Sequence, residues 1–162
     1  MRRAALLIAA ALLLAGCGSK PAGPGSVLNG GKNSHVPYES GDWAVVVNGH
    51  TAVAAHKVNG KWQADRTGIV KVEVLGPSAT KLQPAYTQAA AQLISKTPLV
   101  ESAIWIDGTQ VDLKGGGTPT KGTIYGALAV PLLPGEHMMV AYARTGTHAT
   151  AVARVFHVMK PS

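Results

Sequence analysis

Hydrophobic and polar side chains follow one another along this chain in short runs that end at turn residues. The clearest run, Ile-Trp-Ile at 104–106, ends in Asp-Gly at 107–108 and restarts at Val111. Asp-Gly between β-forming residues is a strong hairpin signal, because both turn positions tolerate a positive φ angle. The pattern therefore predicts an antiparallel β protein built around the strand at 104–108.

Turns of the same kind occur upstream, at Asn48-Gly49 and at Asn59-Gly60. They predict short N-terminal strands joined by hairpins. Farther along, the Gly-Gly-Gly-Thr-Pro run at 115–119 predicts a loop. The predicted strands are 43–47, 50–57, 61–65, 69–75, 87–95, 102–107, 123–130, 137–144 and 149–158.

Residues 84–97 fit two interpretations. As a helix, the segment has Pro84 in its first turn and an apolar stripe that includes Leu93, and its many alanines favour that structure. As a strand, it directs Ala89, Ala91 and Leu93 to one face. We choose the strand, because the topology described below requires one here and tertiary context often overrides propensity.

The N-terminal 17 residues have the pattern of an export signal. Arg2 and Arg3 precede an apolar run at 4–14 that is too short to span a membrane. The following Leu-Ala-Gly-Cys, ending at Cys17, resembles the cleavage box of bacterial lipoprotein signal peptides. The resemblance implies removal of residues 1–16, acylation of Cys17 with fatty acids such as palmitate, and anchoring to the cell membrane or outer membrane, facing the periplasm or exterior. The alternative is an ordinary signal peptide with a chance cysteine.

Cysteine content and charge narrow the possible functions. Cys17 is the only cysteine, so the chain has neither a disulfide nor a thiol for catalysis or metal binding. The net charge of +7 becomes 7 − 2 = +5 once Arg2 and Arg3 are removed, and the remaining basic residues are scattered. Nucleic-acid binding is therefore not expected.

Residues 17–41 combine the lipidated cysteine with a segment rich in Gly, Ser and Pro, which predicts a flexible linker.

Two pieces of residues 69–159 carry a second resemblance. One is the apolar strand that ends in Asp-Gly at 107–108. The other is Leu-x-Pro-Gly-x-His at 132–137, which leads into an apolar strand, followed by Phe-x-Val at 156–158. Together they resemble bacterial immunoglobulin-like domains of envelope and secreted proteins. The resemblance implies an all-β, immunoglobulin-like antiparallel β-sandwich at 68–160. Residues 42–67 are not covered by the resemblance, and their turn signals predict an N-terminal β-hairpin extension, which we expect to pack on the sandwich.

The resemblance also implies which side chains face the core. Its pattern places six residues inward: Ile104, Ile106, Met139, Ala141, Phe156 and Val158. Because side chains alternate along a strand, four others then point outward from one sheet and form a candidate interaction surface: Trp105, Val140, Tyr142 and Val155. Either residues 42–67 cover this stripe with Trp43 or Trp62, or a partner does, and we expect the first.

No arrangement of residues predicts catalysis. The eight acidic residues are spread along the chain, and the Gly115–Gly117 run has neither the Lys-Ser/Thr nor the helix of a phosphate cradle. We therefore expect no enzyme activity, no cofactor and no metal. His50 and His56 have even spacing and share a predicted strand face, but no third ligand lies at a telling distance.

The function that fits best is a lipid-anchored envelope protein that presents a non-catalytic Ig-like binding module. Its predicted contact loops are 114–122 and 145–149, and its candidate partners are an envelope protein or a cell-wall glycan. One alternative is a copper- or zinc-handling lipoprotein that uses the six histidines, which are His35, His50, His56, His137, His148 and His157. A second alternative is an accessory domain of an envelope enzyme system.

Overall fold

The structure, a computed structural model, describes residues 22–28 and 34–160. The predicted signal peptide at 1–16 and the lipidation site at Cys17 lie outside the described residues. Within the described ranges, no helix has the length and hydropathy needed to cross a membrane.

Twelve described strands form three antiparallel sheets of four strands each. A short 3₁₀ helix at Pro24–Leu28 precedes them. The N-terminal sheet has the order β1 (Ser34–Ser40), β2 (Trp43–Asn48), β3 (Thr51–Val58) and β4 (Lys61–Ala64). The back sheet has the order β5 (Val70–Gly76), β6 (Ala89–Ser95), β10 (Lys121–Gly126) and β9 (Lys114–Thr118). The central sheet has the order β12 (Ala149–Val158), β11 (Gly135–Arg144), β7 (Glu101–Ile106) and β8 (Thr109–Gln110).

The main core lies between the central and back sheets. All six side chains expected to point inward are buried in it, together with apolar residues of β5 and β6. Alternation along β7, β11 and β12 places these residues on one face, where they pack against the other sheet. The prediction of an all-β sandwich is confirmed.

The ambiguous segment at 84–97 is a strand in its centre. β6 pairs with β5 on one side and with β10 on the other, so its backbone groups are satisfied from both edges. Ala89, Ala91 and Leu93 are buried in the main core. Pairing on both sides and burial of the small alanine side chains outweigh the helix propensity of alanine.

Two of the three predicted turns have the expected backbone. The third, predicted at Asn48-Gly49, lies one residue later at Gly49-His50, because Asn48 still pairs with Thr51 and only Gly49 has a positive φ, 55°. Asp107 and Gly108 have φ angles of 49° and 80°, and Asn59 and Gly60 have 51° and 75°. Positive φ at both central residues matches the right-handed twist of the strands on either side. Local turn chemistry thus determines the β7–β8 hairpin of the central sheet and the β3–β4 hairpin of the N-terminal sheet.

The linker prediction for 17–41 was wrong for two segments. Residues 34–40 form β1, which pairs with β2, and residues 24–28 form the 3₁₀ helix, which packs against β2 and β4. The N-terminal extension is consequently a four-stranded sheet at 34–64 and not a hairpin at 42–67. A strand with few apolar residues is stable here because its neighbour satisfies its backbone and because Tyr38 packs against the central sheet.

Two predictions in the second half of the chain also need correction. The run at 115–119 is not a loop throughout, because Lys114–Thr118 form the edge strand β9. Side chains at Gly115 and Gly117 would collide with the backbone of β10, so glycine permits this close pairing. The strand predicted at 123–130 is β10 and ends at Gly126, where a β-carbon would collide with the carbonyl oxygen of Asp112.

Candidate functional site

The outer face of the central sheet is covered by the chain itself. Trp105, Val140 and Tyr142 are at most 3% exposed and pack against β2 and β3, while Val155 is half-buried. Strand alternation predicted the direction of these side chains correctly. The N-terminal segment covers the stripe, as expected, and not a partner. Three of the four residues of the proposed interaction surface, Trp105, Val140 and Tyr142, therefore belong to a second core and are not open to a partner.

Aromatic rings fill the middle of this second core. The ring of Tyr38 lies 5.7 Å from that of Trp105 and 5.4 Å from that of Tyr142, with tilted planes. Trp43 is partly buried at the same interface and stacks on His56 at 5.2 Å. Such tilted and offset pairs add to the stabilisation from area burial. Sequence analysis anticipated a tryptophan in this position but missed Tyr38.

A charged group closes one edge of the second core. Glu101 accepts hydrogen bonds from the Tyr38 hydroxyl and from Nε of Arg144, both at 2.6 Å. The Arg144 guanidinium also lies 5.5 Å from the ring centre of Trp43. Burial and the Glu101 carboxylate both raise the pKa of Tyr38, and burial raises that of Tyr142. Both phenols are therefore neutral at physiological pH and do not supply a reactive oxygen. The hydrogen bond between Tyr38 and Glu101 joins the N-terminal sheet to the central sheet.

A second polar cluster joins the N-terminal sheet to the turn between β11 and β12. The buried Asp65 carboxylate accepts hydrogen bonds from the Ala149 N–H at 2.9 Å, from the Thr67 N–H at 3.1 Å and from the Thr67 hydroxyl at 2.9 Å. His148 Nδ1 lies 3.1 Å from Oδ2, the oxygen that also accepts from the Ala149 N–H. Burial raises the pKa of Asp65, but these hydrogen bonds outweigh it and the net shift is downward.

Thr67, His148 and Asp65 have the residue types of a catalytic triad but not its geometry. The Thr67 hydroxyl and the Asp65 carboxylate both face the same nitrogen, Nδ1 of His148. A triad needs the nucleophile on one ring nitrogen and the carboxylate on the other, so this set cannot relay a proton. The predicted contact loop at 145–149 is a tight turn in this cluster, where the buried Thr145 hydroxyl accepts from the His148 N–H at 3.0 Å.

His137 links two turns at the opposite end of the central sheet. Its Nδ1 lies 2.6 Å from Oδ2 of Asp107, and its Nε2 lies 2.6 Å from the Leu133 carbonyl oxygen. Partial burial lowers the pKa of His137, but the two acceptors together raise it above its ordinary value. Two acceptors favour the doubly protonated ring. The imidazole thus links the Asp107 carboxylate to the Leu133 carbonyl oxygen and has a structural role.

The raised pKa of His137 predicts a pH dependence of stability. A group whose pKa is higher in the folded state contributes stability below its unfolded pKa, and this contribution is lost as pH rises through the folded pKa. We expect His137→Gln to lower the free energy of unfolding more at about pH 6 than at about pH 8. Urea titrations at both pH values measure this difference. The exposed His35 provides the matched control His35→Gln, and equal losses at both pH values for His137→Gln would contradict the assignment.

Two of the six histidines of the proposed metal alternative share a carboxylate partner, and a third lies apart on a tryptophan ring. Nε2 of His50 and Nε2 of His157 lie 3.5 and 3.6 Å from the exposed Glu136 carboxylate, whereas His56 stacks on Trp43. The even spacing of His50 and His56 does not bring them to one site. Within residues 22–28 and 34–160, no three or more histidine, cysteine or acidic side chains are grouped in a way that could hold a metal ion.

Three irregular segments meet beyond the His137 end of the central sheet. The Gln83 N–H donates to the His157 carbonyl oxygen at 2.8 Å, and the Met159 N–H donates to the Gln83 carbonyl oxygen at 2.9 Å. The Leu132 N–H donates to the Ala85 carbonyl oxygen at 2.9 Å. The segments at 82–86, 130–133 and 157–159 are therefore held side by side.

These segments carry a concentration of exposed apolar side chains, which we call the apolar end. Leu133 and Tyr86 are 77% and 71% exposed, and three others are at least 43% exposed. The five residues are Leu82, Tyr86, Val130, Leu133 and Met159. Half of the ten large hydrophobic side chains that are exposed in the described part of the chain lie here. Exposed apolar side chains gathered in this way are typical of an interaction surface.

Sequence analysis did not find the apolar end. Its residues lie in turns and loops from three distant parts of the chain. Side-chain alternation applies to strands and therefore predicts nothing about such segments. The one local signal was the Leu-Leu pair at 132–133, which lies within a Pro- and Gly-containing turn where polar residues are usual. The predicted contact segment at 114–122 is the exposed hairpin of β9 and β10.

Comparison of this chain with protein-family models and with curated proteins finds no match.

Proposed function

We propose that this chain is a lipid-anchored, non-catalytic binding module of the bacterial cell envelope, and that its apolar end binds a protein partner. The observation that carries the proposal is the gathering of five exposed apolar side chains on three hydrogen-bonded segments. Covering apolar side chains with a protein surface removes them from water and thereby favours association. A glycan would instead require polar groups arranged for its hydroxyls, so a protein partner fits better.

The immunoglobulin-like character of the domain is part of this proposal. With β5, β6, β7, β9, β10, β11 and β12 taken as strands A, B, C, D, E, F and G, the back sheet has the order ABED and the central sheet contains GFC. These strand orders match the ABED and CFG sheets of a constant-type immunoglobulin domain, with β8 as an additional edge strand of the central sheet. In such a sandwich, loops gather at the two ends and carry recognition, and the apolar end consists of such loops.

A non-catalytic role is supported by how the polar side chains are used. The carboxylates of Glu101, Asp65 and Asp107 each accept hydrogen bonds that join one segment to another. A general acid, base or nucleophile needs a free reactive atom facing a cleft. The groups with shifted pKa values in this chain serve instead as ties between sheets and turns.

The lipid anchor is supported by the export signal at residues 1–17. We expect Cys17→Ser to abolish acylation, so that the protein stays uncleaved or is released from the membrane fraction. Intact mass and detergent partitioning of the two proteins measure this directly. If the Cys17→Ser protein has the same mass as the wild type, apart from the substitution, and still enters detergent, the anchor proposal is wrong.

Site-specific photocrosslinking in intact cells tests the binding function. A photoreactive amino acid at Leu133 should give one discrete cross-linked protein band, because this side chain is the most exposed of the five at the apolar end. The same amino acid at Lys71, exposed on the back sheet, is the matched control. We expect Leu82→Ser to weaken the band from position 133. A ladder of products equal at both positions would contradict a specific partner at the apolar end.

A further inference from the structure

The first described residues lie beside the turn between β3 and β4. A groove of about 490 Å³ is lined on one side by Ala22 and Ser26 and on the other by the turn. The turn residues that line it are Asn59, Gly60, Lys61 and Trp62. The 3₁₀ helix that follows packs against β2 and β4. The N-terminal part of the chain therefore enters the described domain beside this turn.

The β3–β4 turn and the apolar end lie at opposite ends of the domain. His50, just before β3, faces Glu136 and His157 near the apolar end. The middle of β3 lies near the other end of the central sheet, where β12 begins at Ala149. The Ala54 carbonyl oxygen accepts a hydrogen bond from the Asp65 N–H, and the Asp65 carboxylate accepts one from the Ala149 N–H. At about 3.3 Å a residue, the ten residues of β12 separate these ends by about 30 Å.

The distance from the proposed anchor to the turn is short. Five residue steps join Cys17 to Ala22, and an extended chain covers at most about 3.6 Å per step, or about 18 Å. An acylated Cys17 lies at the membrane surface. The β3–β4 turn, which lines the same groove as Ala22, is consequently the part of the described domain that the anchor holds nearest to the lipid.

The turn has side chains suited to lipid headgroups. Residues 57–64 contain two lysines and no acidic residue. Nζ of Lys57 lies 4.7 Å from the ring centre of the half-buried Trp62, and Lys61 is exposed. Tryptophan favours the membrane–water interface, and lysines near an anionic membrane are attracted to it.

From these observations we propose that the β3–β4 turn lies against the headgroups of an anionic phospholipid bilayer, with Lys61 and Trp62 as the contacting residues. This proposal rests on the lipid anchor proposed above. It orients the domain so that the apolar end points about 30 Å away from the membrane into the aqueous space. The proposed protein partner would then approach from that space and not from within the bilayer plane.

Lipid quenching of site-specific fluorophores tests this orientation. The acylated full-length protein is placed in vesicles of phosphatidylethanolamine and phosphatidylglycerol, which contain nitroxide-labelled lipid. Three variants each supply one free thiol for an environment-sensitive dye, because an acylated Cys17 does not react: Lys61→Cys, Leu133→Cys and Lys71→Cys. We expect the dye at position 61 to lose most of its emission to the lipid nitroxide. The dyes at 133 and 71 should keep theirs and respond to aqueous iodide instead.

The outcomes separate the orientation from the anchor. Quenching at 133 would mean that the apolar end faces the membrane, and quenching at 71 would mean that the sandwich lies on its side; either overturns the proposal. An acylated protein with no quenching at 61 also overturns it and leaves the anchor intact. An intact mass without acyl chains refutes the anchor, and the orientation with it.

Discussion

Trp105→Ala is expected to lower the free energy of unfolding by about 3–5 kcal/mol, the usual cost of removing a large buried aromatic side chain. Trp105 is 3% exposed and contacts both the ring of Tyr38 and the ring of Tyr142. Its removal leaves a cavity between the N-terminal and central sheets. Because the main core lies on the other side of the central sheet, the loss should act first on the N-terminal sheet.

Chemical denaturation and amide hydrogen exchange measure the two parts of this expectation. Denaturation gives the loss in free energy, and exchange should accelerate in β1 to β4 more than in β6. Trp62→Ala is the matched control, because the same residue type is removed from the half-buried β4; we expect a loss of about 1 kcal/mol. A loss for Trp105→Ala as small as the loss of about 1 kcal/mol expected for Trp62→Ala would mean that the second core contributes little to stability.

Asp65→Ala is expected to cost about 3 kcal/mol, because the Ala149 N–H is buried and loses a charged acceptor. The Thr67 hydroxyl and backbone N–H lose the same acceptor. The exposed Asp112 gives the control variant Asp112→Ala, for which we expect a change within about 0.5 kcal/mol. Urea denaturation compares the two directly, and a similar small change in both would show that Asp65 is not a structural tie.

The pH dependence of stability identifies the charge as the cause. The pKa of Asp65 is lower in the folded protein than its ordinary value, so its contribution is present above the unfolded pKa and is lost as pH falls through the folded pKa. The wild type should therefore lose stability on acidification more steeply than Asp65→Asn, which has no proton to bind. Parallel pH profiles for the two proteins would contradict this origin of the stabilisation.

Those parts of the fold that depend on neighbouring residues could be predicted from the sequence. The Asp107-Gly108 and Asn59-Gly60 turns follow from the φ angles that these residue types tolerate. The outward direction of Trp105 follows from the two-residue period of a strand once Ile104 and Ile106 face the core. The sandwich class follows from the repetition of such strands and turns.

The candidate site could not be predicted in the same way. The Tyr38–Glu101 hydrogen bond joins residues 63 positions apart, and the Ala149–Asp65 hydrogen bond spans 84 positions. Nothing near Tyr38 in the sequence distinguishes it from a linker residue. The apolar end likewise exists only because backbone hydrogen bonds hold residues 83, 85, 132, 157 and 159 together.

The sequence by itself therefore determined most of the strands, the turns at Asp107-Gly108 and Asn59-Gly60 and the side chains of the central sheet that face inward, because φ preferences and side-chain alternation act over a few residues. Only the tertiary structure decided that residues 34–40 add a strand, that the Trp105 face is covered and that apolar loops meet at one end. These outcomes depend on which distant segments satisfy one another's backbone groups and bury one another's surface, and no local pattern encodes that choice.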